Sequence, residues 1–289
     1  MSELRIDAGD ALLAATYTPA GPLAVVALHG ASEGHRQFAL YEHLHATLPA
    51  DGVGVVTFDR RGEGESSGTP SVGHLELQAR DAAEVIDEIG LERVVIWGFS
   101  QGAWVAPLVA SPAIVGLVVV GAAGVTPADQ MRYGVAVHLA AAGFDRTVVD
   151  EAITLRDQFR RAMRHEEPDE SSLAARLRAS ASQPWWPLCY LPAALPDDAG
   201  RAEWVREMEH DPLPAMSATK VPVLALWGRE DAWTPVAASL AAWRAARGDA
   251  VTTRVYPGVG HDLRDAVGVL EPDYPPTLRT WIASTGTAS

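Results

Sequence analysis

The chain has 289 residues, 48% of them hydrophobic, which is enough to bury one large core with an insertion, so one enlarged domain is expected ahead of several small modules. A formal net charge of −14, with scattered arginines and Lys220 as the one lysine, leaves no basic stripe to replace phosphate counterions and excludes nucleic acid as a partner. Cys189 is the one cysteine, which excludes an intramolecular disulfide. No secretory leader precedes the first expected strand, and no apolar run approaches the roughly 20 residues of a membrane helix, so a cytoplasmic location without a membrane span is expected.

Residues 12–17 and 24–28 are apolar runs parted by Pro19, Gly21 and Pro22, and predict an antiparallel opening to a sheet. Phe38, Tyr41, Leu44 and Leu48 form one apolar stripe, predicting a helix that ends near Pro49 and Gly52, and residues 53–58 return to a strand. After the glycine-rich stretch 62–73, the pattern of Leu75, Ala79, Ala82, Val85, Ile86 and Ile89 predicts a helix closed by Gly90. Strands are then expected at 94–97 and 115–120, with a helix over 101–110 between them. Short continuous apolar strands alternating with amphipathic helices argue an α/β fold, with a mostly parallel sheet covered on both faces.

That rhythm stops over residues 126–218, where helices are predicted at 129–142, 147–165, 170–181 and 201–209, with prolines between them. A helical cap inserted into a core of 1–125 and 219–289 is the simplest organisation. Strands resume at 223–227 and 252–256 around a helix at 236–247, a last helix spans 276–282, and a small polar tail is expected to fray.

Ser100 stands in Trp97-Gly98-Phe99-Ser100-Gln101-Gly102, where a strand should become a helix. A serine on such a turn is lifted above the sheet, and its glycine neighbours admit close backbone approaches. A serine hydroxyl needs a base, and His261, in a glycine-rich loop after the last expected strand, is placed to reach back to it. Asp231 follows a strand and completes the order serine, acid, histidine, while Glu230 and Asp262 are adjacent alternatives for the acid. The backbone amides of Ala31, in His29-Gly30-Ala31, and of Gln101 are candidate oxyanion donors, with His29 itself read as a packed structural histidine.

These segments resemble the alpha/beta-hydrolase family, particularly bacterial serine esterases and aminopeptidase-like hydrolases with a helical cap. The likeness runs through His29 to Gly34, Asp59-Arg60-Arg61-Gly62-Glu63-Gly64-Glu65-Ser66, Gly98 to Trp104, Asp211 to Pro214, Pro222 to Asp231, and Pro257 to His261. It departs from many relatives in carrying Ala103 after Gly102. The resemblance implies a triad of Ser100, Asp231 and His261, an oxyanion hole of Ala31 and Gln101, and a bracing role for residues 59–66. It also implies a small-molecule acyl substrate and no cofactor or metal. The histidines make no metal signature and the glycine runs no phosphate-binding fingerprint. A carboxylic ester, lactone or thioester is the expected substrate. Amides, acyl transfer, cyclisation and carbon–carbon cleavage use the same machinery, and a noncatalytic binding protein is the competing class. Within the cap, Trp185 and Trp186 lie between Pro184 and Pro187 and are expected to offer at least one ring to the substrate. Arg36 is a further candidate for substrate binding, against a bracing role toward Glu33, Glu63 or Glu65.

Overall fold

The structure, a computed structural model, describes residues 1–32 and 34–285. Glu33 and the tail 286–289 lie outside the described residues. By compactness the chain divides into two units, one of residues 1–124, 212–231 and 236–289, the other of residues 125–211 and 232–235.

The first unit is built on one eight-stranded sheet. Its strands are β1 Ser2–Asp7, β2 Leu12–Thr18, β3 Leu23–Leu28, β4 Val53–Phe58, β5 Val94–Phe99, β6 Ile114–Val120, β7 Val223–Gly228 and β8 Val251–Tyr256. They lie in the order β1-β2-β4-β3-β5-β6-β7-β8, antiparallel at β1/β2 and β2/β4 and parallel elsewhere. The antiparallel opening therefore differs from the expected one. β2 does not pair with β3; it pairs with β4, through Ala15 opposite Phe58, and with β1, whose sparse apolar residues left no strand signal. Every residue of β3, β4, β5 and β7 is buried, as strands covered on both faces require.

Helix α1, Glu42–Thr47, is flanked by 3-10 turns at Ala39–Tyr41 and Leu48–Asp51, and α2 spans Leu75–Ile89, ending on Gly90 in the left-handed conformation. The expected helix after Ser100 is shorter than predicted. It runs as α3, Gln101–Val105, and tightens into a 3-10 turn at Ala106–Leu108, where Pro107 has no amide hydrogen to continue an α-helix. Val25, Ala27, Val95, Trp97, Val118, Val120, Leu224 and Leu226 share one face of the sheet in a single buried cluster with Leu44, Leu48, Leu278 and Ile282.

The second unit holds α4 Pro127–Ala141, α5 Arg146–Met163, α6 Glu170–Ser180 and α7 Asp198–Met208. Each starts on a residue whose side chain accepts a backbone N–H of the first turn: Thr126 from Asp129, Asp145 from Val148, Asp169 from Ser172 and Asp197 from Gly200. Its own core gathers Val135, Leu139, Leu155, Phe159, Leu173, Leu177, Trp185 and Cys189. The unit closes at Asp211, short of the expected boundary, because α8, Leu213–Ala218, packs against α9, Val236–Arg247, in the first unit. The last helix, α10, spans Tyr274–Thr285. Among the described residues no helix is long and apolar enough to cross a membrane.

Candidate active site

Ser100 sits between β5 and α3 with φ 53° and ψ −112°, a conformation strained for any residue with a Cβ. The turn is tight enough to specify its neighbours. A Cβ on Gly98 would lie 2.3 Å from the Gly102 carbonyl oxygen, and one on Gly102 would lie 2.7 Å from that of Leu28. The serine is thereby held out at the C-terminal end of the parallel strands, where a ligand can reach it.

His261 comes from the loop after β8. Its Nε2 is 2.9 Å from Ser100 Oγ, and its Nδ1 is 2.8 Å from Asp231 Oδ2. The Asp231 side chain is fully buried and that of His261 is 17% exposed, so the carboxylate is shielded from water while the imidazole is not wholly so. The Phe99 ring packs beside the imidazole at 5.0 Å between centroids. Of the alternative acids, Glu230 is exposed and Asp262 faces Arg264 at 3.7 Å.

Gly121 belongs to the site and was not foreseen. It follows β6 at φ 61°, and a Cβ there would come within 2.8 Å of His261 Cε1. The signal available in sequence is a glycine directly after an apolar strand, which cannot announce a contact with a loop so far along the chain. The segment after β6 is pinned by indole donors, Trp104 Nε1 to the Ala123 carbonyl at 2.8 Å and Trp227 Nε1 to that of Ala122 at 2.9 Å.

Ala31 and Gln101 present backbone amides with no acceptor among the described residues. The Gly30 backbone runs beside the nucleophile, since a Cβ built on it would lie 3.7 Å from Ser100 Cβ. Arg60, within the segment expected to brace the site, reaches from the loop after β4 to donate Nη1 to the Gly30 carbonyl at 2.9 Å and Nη2 to that of Ala31 at 3.3 Å, while its Nε donates to Glu63 at 2.6 Å. The peptide bonds are trans, so the Ala31 N–H points away from the carbonyl that Arg60 holds.

His29 is buried, and its Nε2 donates to the Phe58 carbonyl at 2.5 Å. Burial pushes its pKa down to about 4, which makes it a neutral structural donor, as expected. Arg36 requires correction as a substrate contact. It is buried, its guanidinium is committed to Asp59, and its Nη2 is 3.1 Å from Glu65 and 3.3 Å from Glu3. Asp59 also accepts the amides of Arg36 at 2.7 Å and Glu65 at 2.8 Å, so Arg36 braces residues 59–66. Trp185 is likewise corrected: at 4% exposure it belongs to the helical unit's core, and its partner Trp186 packs half-buried against that core. Adjacent rings are accommodated because the 3-10 turn Trp186–Cys189 begins between them, leaving the ring planes at 56°.

Residues 25–273 match the alpha/beta hydrolase family, and the chain belongs to it. Among solved structures it is similar to a thermophilic esterase from Thermogutta terrifontis, at 20% identity and TM-score 0.62, over 99% of this chain and 100% of that one. A proline iminopeptidase-related protein from Thermus thermophilus matches at 23% identity and TM-score 0.62, over 99% of both chains. A bromoperoxidase from Bacillus anthracis matches at 17% identity and TM-score 0.60, over 99% of this chain and 100% of that one. At these identities the likeness is one of fold. No curated protein matches the sequence.

Proposed function

We propose that the protein is a serine hydrolase that cleaves a carboxylic ester, lactone or thioester through an acyl-enzyme intermediate. The observation that carries this reading is the continuous chain from Ser100 Oγ to His261 Nε2 and from His261 Nδ1 to Asp231, at 2.9 and 2.8 Å. Family membership supports hydrolase chemistry, and the esterases among the similar structures favour an ester.

In this mechanism His261 Nε2 takes the Ser100 proton as Oγ attacks the acyl carbon, and Asp231 steadies the imidazolium through Nδ1–H. The amides of Ala31 and Gln101 receive the oxyanion; loss of one such donor costs roughly 3 to 4 kcal/mol of transition-state stabilisation. His261 then returns the proton to the departing alcohol or thiol, and a water attacks the acyl-enzyme by the same route. Trp186 stays in the proposal as a specificity contact, whereas Arg36 and Trp185 do not.

The test is intact-mass analysis of wild type and Ser100→Ala after treatment with an aryl organophosphonate, beside turnover of a panel of esters, lactones, thioesters and amides. Wild type should gain one adduct, located on Ser100. The folded variant should gain none and lose turnover. Equal labelling of the variant at another serine would remove Ser100 from the mechanism.

A further inference from the structure

Among the described residues, positive φ is held outside glycine by Ser100 at 53°, His165 at 57°, Tyr190 at 51° and Leu263 at 59°. Ser100 is the proposed nucleophile. His165 and Tyr190 are exposed and stand at the ends of helical segments, where the left-handed conformation is common. Leu263 is different. It ends no helix and is fully buried, with a bulky side chain on a backbone conformation that is strained for such a residue.

Leu263 closes the turn that carries His261. Its N–H donates to the Gly260 carbonyl at 3.2 Å, and the Gly260 N–H donates to the Arg264 carbonyl at 2.8 Å, so His261 and Asp262 are the central residues of a β-turn tied at both flanks. Beyond the turn, the Leu263 carbonyl accepts the Glu271 N–H at 2.8 Å, and the side chain enters the buried cluster that holds Phe99, Tyr256, Val259 and Tyr274. Before the turn, the Val259 carbonyl accepts the Glu230 N–H at 3.1 Å, which fastens this end to the loop of Asp231. The backbones are close there, since a Cβ on Gly228 would lie 2.1 Å from the Gly260 carbonyl oxygen. A glycine at position 263 would adopt the left-handed conformation without strain, but it would leave the turn without a buried anchor. Leucine accepts the strain and supplies the anchor.

We infer that Leu263 is a positioning residue for His261. Its side chain, fixed in the core on a left-handed backbone, sets the direction of the turn and so aims Nε2 at Ser100 and Nδ1 at Asp231. The kinetic part of this inference rests on the hydrolase reading proposed above, whereas its geometric part rests on the His261 contacts alone.

The test uses the full-length protein with Leu263→Gly and Leu263→Met. Selective 13C labelling of histidine Cε1 gives each ring its own resonance, and that of His261 is assigned by its loss in His261→Ala. Leu263→Gly should shift or broaden the His261 resonance, while those of His74 and His165 stay in place and report the fold. On an activated ester, kcat per folded molecule should fall by about 10- to 100-fold, the effect of moving a catalytic group by ~1 Å, with KM within about twofold. Leu263→Met conserves volume and the apolar anchor and should restore most of kcat together with the wild-type resonance. A purely structural leucine makes another forecast: turnover falls only with the folded fraction, and the His261 resonance of the folded protein does not move. That result would overturn the inference, and so would a displaced resonance with kcat intact. If Leu263→Gly does not fold, Leu263→Val is read in the same way, since it keeps most of the buried volume but sets a β-branched side chain at positive φ. If wild type turns over no ester, the hydrolase reading fails and the resonance alone decides the role of Leu263.

Discussion

Arg60 holds the loop that carries Ala31, one of the two proposed oxyanion donors. Its buried guanidinium clamps the carbonyls of Gly30 and Ala31, and the trans peptide between them turns the Ala31 N–H the opposite way. If that amide is an oxyanion donor, Arg60→Met should lower kcat on an activated ester by roughly 10- to 100-fold, short of outright loss of a donor. KM should change little, because the donor matters mainly when charge develops on the carbonyl oxygen. Steady-state kinetics beside thermal unfolding would check this; a parallel rise in KM with kcat intact would point to ground-state binding instead. The contact of Ser100, His261 and Asp231 was legible because each residue lies just beyond an apolar strand and in chain order. The bracing role of residues 59–66 came only through the family resemblance, and neither Arg60's partners Gly30 and Ala31 nor the contact of Gly121 with His261 was legible, because each joins segments remote in sequence.

At the scale of elements, apolar periodicity located α2 and the helices of the second unit, and the aspartate and threonine caps explain where those helices start. It missed β1, an edge strand with one fully buried residue, Ile6. It also could not rank strand order, since the pairing of β2 with β4 is decided by the crossover from β3 and not by either strand's composition. The aromatic pair was misread for a similar reason: composition marked a cluster of rings, but only packing divides them. Trp185→Ala should therefore cost about 3 to 5 kcal/mol of stability, as loss of a buried tryptophan does. It should depress turnover of all substrates together through reduced folded protein. Urea unfolding read against a substrate panel checks this, and an altered substrate ranking at full stability would return Trp185 to a recognition role.

Across the whole molecule, two buried histidines tie stability to pH. His29 donates to Phe58, and His43 bridges the Leu40 carbonyl at 2.5 Å and Tyr274 Oη at 2.9 Å; burial lowers both to about 4. In the unfolded chain each titrates near its ordinary 6.5. Above that value both states are neutral and the stabilisation is fully present. As pH falls the unfolded chain takes up protons first, so stability is lost down to about 4, by roughly 2 to 3 kcal/mol for each histidine. Urea unfolding free energies at pH 7 and pH 4.5 should differ accordingly, and equal values would rule the linkage out. The nucleophile's own backbone leads to a different consequence, one for laboratory selection. Ser100 holds φ 53° and ψ −112°, where glycine rests without strain. Ser100→Gly should then melt higher than Ser100→Ala, in line with the 1 to 3 kcal/mol of such strained conformations. A library screened for heat resistance alone would enrich inactive clones with glycine at this position, so activity has to be part of the screen.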